Sequence, residues 1–361
     1  MLSAITALTF LFVIATIIPL SRSSHWLLRA FDFPRLQFII CGFILLINQL
    51  IFMKISTILF FVCFSLTIFS IAWQLWWVLP YTRLWHKEVE SSKDNDEKNQ
   101  LTILNFNVLM TNRDAKALVE LVKRHNPDVL VTLETDIWWE NALSTLTNEM
   151  PYTINCPLDN LYGMHVFSKL PLAEQEIKYL VEQDIPSMHT LITLRNGTKV
   201  RAHFLHPAPP SPTENERSSE RDAELIMVAE SIAKTEQPVI VSGDLNDVAW
   251  SSTTRLFRKI SGLLDPRIGR GMFNTFHTSY IFARWPLDHI FHSKHFTLAK
   301  IKRLPSIGSD HFPLLTTLSY NPNKKQKGIT AEPEDIKRTK DITQVENVSH
   351  HDVPEPGESC K

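Results

Sequence analysis

Pro238–Asp247 reads PVIVSGDLND. Pro238–Ser242 is a short apolar run ending at Gly243, the pattern of a strand buried on both faces and stopped by a turn. Asp244 and Asn246 therefore sit at the C-terminal end of a buried strand. Similar arrangements recur along the chain. Asn107 closes NFNV, Glu134 closes VLVTLE and His206 follows RAHFLH. Asp288 and His289 lie in PLDHIF, and Asp310 and His311 lie in GSDHFP just before a last strand, Leu314–Leu318. Further strands are expected at Leu101–Val108, Asp128–Leu133, His165–Phe167, Thr190–Leu194, Lys199–Leu205, Leu287–His292 and Leu298–Arg303. Helices are expected from Asp114, as N-cap, to His125 and over Ser219–Ala233. Several strand pairs read as hairpins, which predicts an α+β fold with mixed sheets and helices packed outside them.

The regions outside this domain differ in composition. Up to about residue 80 the chain is dominated by Leu, Ile, Phe, Val and Trp, in three uncharged stretches near residues 3–20, 36–53 and 56–80. A bilayer core needs about 20 apolar residues per helix, so three transmembrane helices are expected, with Trp73, Trp76, Trp77, Tyr81 and Trp85 as an interfacial belt. Residues 81–100 follow as a charged linker, whose HKEVESSKDNDEKNQ part (86–100) reads as a flexible tether. A single folded domain is expected over 101–320, and the polar tail over 321–361 is expected to be disordered. The four cysteines, Cys41, Cys63, Cys156 and Cys360, form neither a disulfide framework nor a zinc-ligand spacing. Acidic and basic residues are nearly balanced in the domain, and no Lys/Arg run marks a generic nucleic-acid binder.

Each strand-end polar residue alone is commonly a cap or a turn residue. The set is a different matter. A Glu, two Asn, two Asp–His units and a Gly-Asp-Leu-Asn turn match what cleavage of a phosphate ester needs. The anionic substrate repels hydroxide, so a cation must neutralise charge, a carboxylate must position water and donors must meet the developing oxyanions. The ordered series NFNV, LET, HPAPP, GDLND, PLDH and GSDH resembles the motif series of the endonuclease/exonuclease/phosphatase superfamily across residues 101–319. YGMHVFSKLPL (162–172) resembles that family's Gly…Ser-Lys/Arg-x-Pro segment. The resemblance implies a four-layer α/β sandwich of two mixed sheets flanked by helices, with the site at one edge. It implies Glu134 as principal ligand of Mg²⁺ (or Mn²⁺), Asn107 on the metal or the phosphate, and Asp310 supporting the metal's water shell. Asp244 would orient or deprotonate the attacking water, and Asn246 and His206 would contact the phosphate. His311, oriented by Asp288, would bind phosphate or move a proton.

WLLRAFDFPRLQ (26–37), HPAPPSP (206–212), WSSTTRLF (250–257) and GRGMFNTF (269–276) are similar to a bacterial membrane-anchored subgroup with three N-terminal spans. That similarity implies a plasma-membrane enzyme whose domain lies on the external, periplasmic side and acts on a phosphate or pyrophosphate ester, lipid-linked in some members. Arg22, Arg29 and Arg35 against Lys54 point the other way by the positive-inside rule. The external side is kept as the expectation. A Mg²⁺-dependent nuclease, a sphingomyelinase-like phospholipase and a non-catalytic scaffold binding phosphorylated ligands stand as alternatives. The sequence does not single out a protein partner.

Overall fold

The computed structural model describes residues 2–94, 96–323 and 326–358; Cys360 lies outside the described residues. The N-terminal part folds as α1 (Leu2–Ile17), a short α2 (Trp26–Arg29), α3 (Arg35–Phe52) and α4 (Ile58–Val78). Among the described residues, three helical stretches of 20, 18 and 24 residues are long and apolar enough to cross a membrane. The polar side chains they carry find one another. Gln49 Nε2 donates to Thr9 Oγ1 and to Thr67 Oγ1, each at 2.9 Å, so one amide ties all three helices together.

The segment after α4 is fastened down rather than free. Glu88 accepts from Arg258 Nη2 at 2.5 and 2.7 Å and from the Asp265 N–H at 2.8 Å. Val89 is buried, and the Ser92 N–H donates to Leu298 O at 2.7 Å. The expectation of a flexible tether over 86–100 therefore gives way to a strap along the domain. Arg258 is buried, and a buried guanidinium requires a carboxylate, which the charged segment supplies.

The domain runs β1 (Gln100–Asn107), α5 (Ala115–His125), β2 (Val129–Leu133), α6 (Ile137–Leu143), β3 (Tyr152–Cys156), β4 (Met164–Ser168) and β5 (Leu172–Lys178). It continues with β6 (Ser187–Thr193), β7 (Lys199–Leu205), α7 (Ser219–Ile232), β8 (Val239–Asp244), α8 (Ser252–Ser261), β9 (Asp288–His292), β10 (Phe296–Arg303), β11 (Leu314–Tyr320) and α9 (Pro333–Val345). Two sheets form among the described residues, ordered β10-β11-β1-β2-β4-β3 and β5-β6-β7-β8-β9. Only the β1–β2 and β7–β8 pairings are parallel in these sheets, each joined through a helix.

Strand alternation assigns every side chain to a layer. Leu101 and Ile103 of β1, Val129, Val131 and Leu133 of β2, Val200, Ala202 and Phe204 of β7 and Ile240 of β8 fill the space between the sheets. Leu104 and Phe106 face α5 and α6 with Leu118, Val122 and Trp139. Val239 and Val241 face α7 and α8 with Val228 and Phe257. The result is the helix–sheet–sheet–helix sandwich expected from the sequence.

The tail departs from the expectation of disorder. α9 is capped by a reciprocal Glu332–Asp335 box, and Asp335 pairs with Lys259 at 2.7 Å. Val353 is buried, and Pro354 O accepts from the buried Arg201 Nη2 at 3.1 Å. A polar composition is compatible with order here because the domain presents buried charged groups that the tail satisfies.

Candidate active site

The period of two that builds the layers also builds the site. In β1 the odd residues point between the sheets, so Asn105 and Asn107 extend the line of Leu101 and Ile103. In β8 the even residues do so, which carries Asp244 inward after Ile240. In β9, Ile290 lies between the sheets and Phe291 faces the helices, so Asp288 points inward and His289 outward. Residues far apart in sequence thus meet where the strands end.

Close backbone packing holds these ends together. A Cβ on Gly163 would lie 1.9 Å from Thr135 O, next to Glu134. A Cβ on Gly243, whose φ is +153°, would lie 1.9 Å from Leu205 O, where His206 and Asp244 leave their strands.

Asp288 Oδ2 accepts from His311 Nδ1 at 2.7 Å, and His311 Nε2 lies 3.4 Å from Asp244 Oδ2. Asn107 Nδ2 donates to Glu134 Oε1 at 2.7 Å and reaches Asp244 Oδ2 at 3.4 Å. Asp244 Oδ1 accepts the Asn246 N–H at 2.9 Å, and Asn246 Nδ2 donates to Pro207 O at 3.0 Å. His206 is buried, stands 5.3 Å from the Tyr162 ring, and its Nδ1 has no hydrogen-bond partner among the described residues. Asp310 Oδ1 lies 3.3 Å from Ser309 Oγ, and the Asp310 carbonyl accepts from the Thr278 N–H at 2.8 Å. Asn107, Glu134, Asp244, Asp288 and His311 form one connected group, which His206, Asn246 and Asp310 border. His289, the sequence neighbour of Asp288, points away to Arg267 and Asp247 O.

Electrostatics divides the group in two. Burial alone would lower the pKa of His311, but Asp288 and Asp244 outweigh it and raise it to about 10. The ring is thus an imidazolium between two carboxylates. Burial holds His206 neutral, its pKa lowered to about 4. Glu134 is pushed up to about 7 by burial, against the Asn107 hydrogen bond and the His311 charge, with Asp310 and Asp244 adding to the rise.

Two sets of donors come into question for a cation. One ligand atom each from Asp244, Asp288 and His311 lies within 4.8 Å of the others. In that triad the His311 charge already offsets one carboxylate, and both ring nitrogens of His311 face carboxylates rather than an open position. Glu134 fits better. Its Oε2 is buried without a hydrogen-bond partner among the described residues, and burial penalises its charge. A hard cation would supply what Glu134 lacks. Asn107 turns its Nδ2 to Glu134 while its Oδ1 accepts the Leu109 N–H at 3.1 Å. In this arrangement its amide N–H steadies the carboxylate.

Several contributors were not apparent in the sequence. Asn105 Nδ2 donates to Asp288 Oδ1 at 2.9 Å, and the Asp288 N–H donates to Thr275 Oγ1 at 3.1 Å. Ser309 Oγ donates to Asn107 O at 2.7 Å and accepts the His311 N–H at 2.9 Å, joining the last strand to the first. The Phe276 ring lies 5.0 Å from that of His311. The only signal for Thr275 and Phe276 was the GRGMFNTF pattern.

The profile of the Endonuclease/Exonuclease/phosphatase family matches residues 104–311. The chain belongs to this family. Members of the endonuclease/exonuclease/phosphatase family are metal-dependent hydrolases of phosphoester bonds. No curated protein sequence matches the chain. Among solved structures, the human nocturnin catalytic domain with bound sulfate is similar, with 16% identity over 62% of this chain and 95% of that one and a TM-score of 0.51. A humanized D. rerio TDP2 gives 18% identity over 61% of this chain and 99% of that one, with a TM-score of 0.50. An endonuclease/exonuclease/phosphatase from Beutenbergia cavernae gives 14% over 62% and 72%, with a TM-score of 0.51. At these identities the likeness is one of fold.

Proposed function

We propose that the protein is a membrane-anchored, Mg²⁺-dependent phosphoesterase that cleaves a phosphate or pyrophosphate ester carried by a membrane lipid. One observation carries the membrane part of this reading: the loop between α1 and α3 is docked on the catalytic domain beside GDLND. Trp250 Nε1 donates to Asp32 O at 2.8 Å, Arg29 Nη1 donates to Ser252 Oγ at 3.2 Å, and the Trp26 N–H donates to Glu216 O at 2.9 Å. With the three apolar helices in a bilayer, this loop keeps the site at the lipid surface, where lipid substrates are concentrated.

In the reaction, Asp244 orients the attacking water and receives its proton, aided by a burial-raised pKa. Asp288 fixes the His311 ring, whose charge, shared with Asp244, faces the phosphoryl group. Asn246 is held by Pro207 O and keeps its second N–H for a phosphoryl oxygen, with neutral His206 as a further contact. Glu134, steadied by Asn107 and with Asp310 close by, would hold the cation. A bound Mg²⁺ or Mn²⁺ supplies Lewis-acid neutralisation of the phosphoryl charge.

The proposal places the protein in a bacterial plasma membrane with the domain on the external side. The three arginines that argue for the cytoplasm are not free charges. Arg29 and Arg35 pair with Asp32 at 3.3 and 2.9 Å, and Arg22 pairs with Glu334 at 2.5 Å. A C-terminal alkaline phosphatase fusion in a bacterial host is expected to be active. An inactive fusion, with a fluorescent-protein fusion at the same place bright, would reverse the orientation. For the chemistry, Glu134→Gln and His311→Ala are each expected to abolish Mg²⁺-dependent phosphate release by purified protein. Retained activity in either would refute the assignment.

A further inference from the structure

A cavity of about 370 Å³ lies between segments distant in sequence: Trp26, Ala30, Phe33 and Pro34 of the docked loop, Pro210 of the HPAPPSP loop, and Trp285. Its size is that of a small-molecule site, roughly 300–1,000 Å³. Apart from Arg29, the side chains lining it are rings and hydrocarbon. At one end Pro34 leads directly into α3. At the other, the Phe33 and Trp285 rings are in edge contact at 5.5 Å, Trp285 stacks on Phe276 at 6.3 Å, and Phe276 touches His311 at 5.0 Å. Pro210 stands three residues beyond Pro207, whose carbonyl holds Asn246. The walls of the groove therefore reach from the start of a candidate span to residues that pack against two edges of the active site.

We propose that this groove holds the first carbons of the alkyl chain of the lipid whose phosphate is cleaved. The inference rests on the lipid-phosphate reading above and adds the place where the chain lies. Two further observations favour a lipid chain as the occupant. The Gln37 side chain, in the first turn of α3, donates to Phe282 O, which sets the hairpin carrying Trp285 against the entry of that helix. The tip of that hairpin exposes Tyr280, Ile281 and Phe282 to 63%, 73% and 88%, extending the apolar surface toward the bilayer. A lipid raised far enough for its phosphate to reach His311 must draw carbons out of the membrane. Without an apolar wall those carbons would meet water, at a loss of about fourfold in affinity per methylene. The groove covers them.

The test uses full-length protein in detergent with Mg²⁺ and a series of alkyl phosphates from ethyl to octyl. For wild type, KM is expected to fall about fourfold per added methylene over the first several carbons. Ala30→Phe fills the groove from an exposed position outside the catalytic group. It is expected to flatten the series while leaving turnover of ethyl phosphate unchanged. An unchanged chain-length dependence in Ala30→Phe, or hydrolysis that is independent of chain length in wild type, overturns the groove. A second measurement needs no turnover: octyl phosphate brominated along its chain should quench tryptophan emission of Asp244→Asn protein, and less so when Trp285→Phe is added. No quenching, or equal quenching in both proteins, also overturns it. Quenching without hydrolysis of any alkyl phosphate by wild type would leave the groove standing and refute the lipid phosphoesterase reading.

Discussion

Asp288 uses both side-chain oxygens and its backbone N–H: one carboxylate oxygen takes Asn105, the other takes His311, and the N–H is spent on Thr275. Asp288→Asn would preserve the shape but present a donor or a weaker acceptor to the His311 ring. The expected result is a loss of kcat on the order of 10²–10⁴, the usual worth of positioned acid–base groups. A change below tenfold in steady-state kinetics would show that the ring does not depend on this carboxylate. Away from the site, Glu224 is buried in α7, its Oε1 lacks a partner among the described residues, and burial, then Glu182, raises its pKa to about 8. Its folded value lies above the unfolded one, so stability is highest with the carboxyl protonated and falls as pH rises from about 4.5 through 8. Glu224→Gln should therefore raise Tm at pH 9 and leave it unchanged at pH 4. Equal shifts at both pH values in thermal unfolding would contradict this. The catalytic candidates were legible because carboxylates, amides and imidazoles at the ends of apolar runs are conspicuous. Asn105 was not, since an Asn inside a strand carries no mark of its partner, 183 residues away.

At the level of elements, strands that are continuous apolar runs and helices with a clear start were legible, and elements with polar edges or openings were not. The expected helix from Asp114 to His125 appears as Ala115–His125, with Asp114 accepting from the Ala117 N–H at 3.0 Å. β5 has the sequence LAEQEIK at a sheet edge, mostly exposed, and offers no period-two signal. α8 opens on STTR, which reads as a turn until Ser251 is seen capping the Thr254 N–H at 2.9 Å. The strap over 86–100 and the tail were misread for a shared reason: composition reports what a segment contains, not which buried charge waits for it. Arg201 lies fully buried between β7 and the tail, with Ser231 Oγ at 2.5 Å and Pro354 O at 3.1 Å. Removing the chain from residue 346 onward should cost about 1.5–3 kcal/mol, the worth of a hydrogen bond to a charged group. Urea unfolding measures it, and an unchanged midpoint would show that the tail is not part of the fold.

For the molecule as a whole, three patterns outside the catalytic motifs converge on one place. WLLRAFDFPRLQ supplies the docked loop, WSSTTRLF supplies Trp250 and Ser252 that receive it, and GRGMFNTF supplies Phe276 between Trp285 and His311. The layered sandwich and the family were readable from the order of the motifs. The docking of the loop was not, because contacts such as Trp250 to Asp32, 218 residues apart, depend on the folded shape. On the proposed function its consequence is that the helices do more than tether: they would set which phosphate the site meets. Phosphate release by full-length protein in lipid micelles, wild type against Asp244→Asn, tests this most directly, over a panel of lipid phosphates, inositol phosphates, nucleotides and plasmid DNA. The account predicts Mg²⁺-dependent hydrolysis of a lipid phosphate ester or pyrophosphate by wild type, reduced at least about 100-fold in Asp244→Asn. Hydrolysis confined to nucleotides or DNA, or equal rates in the two proteins, would contradict it.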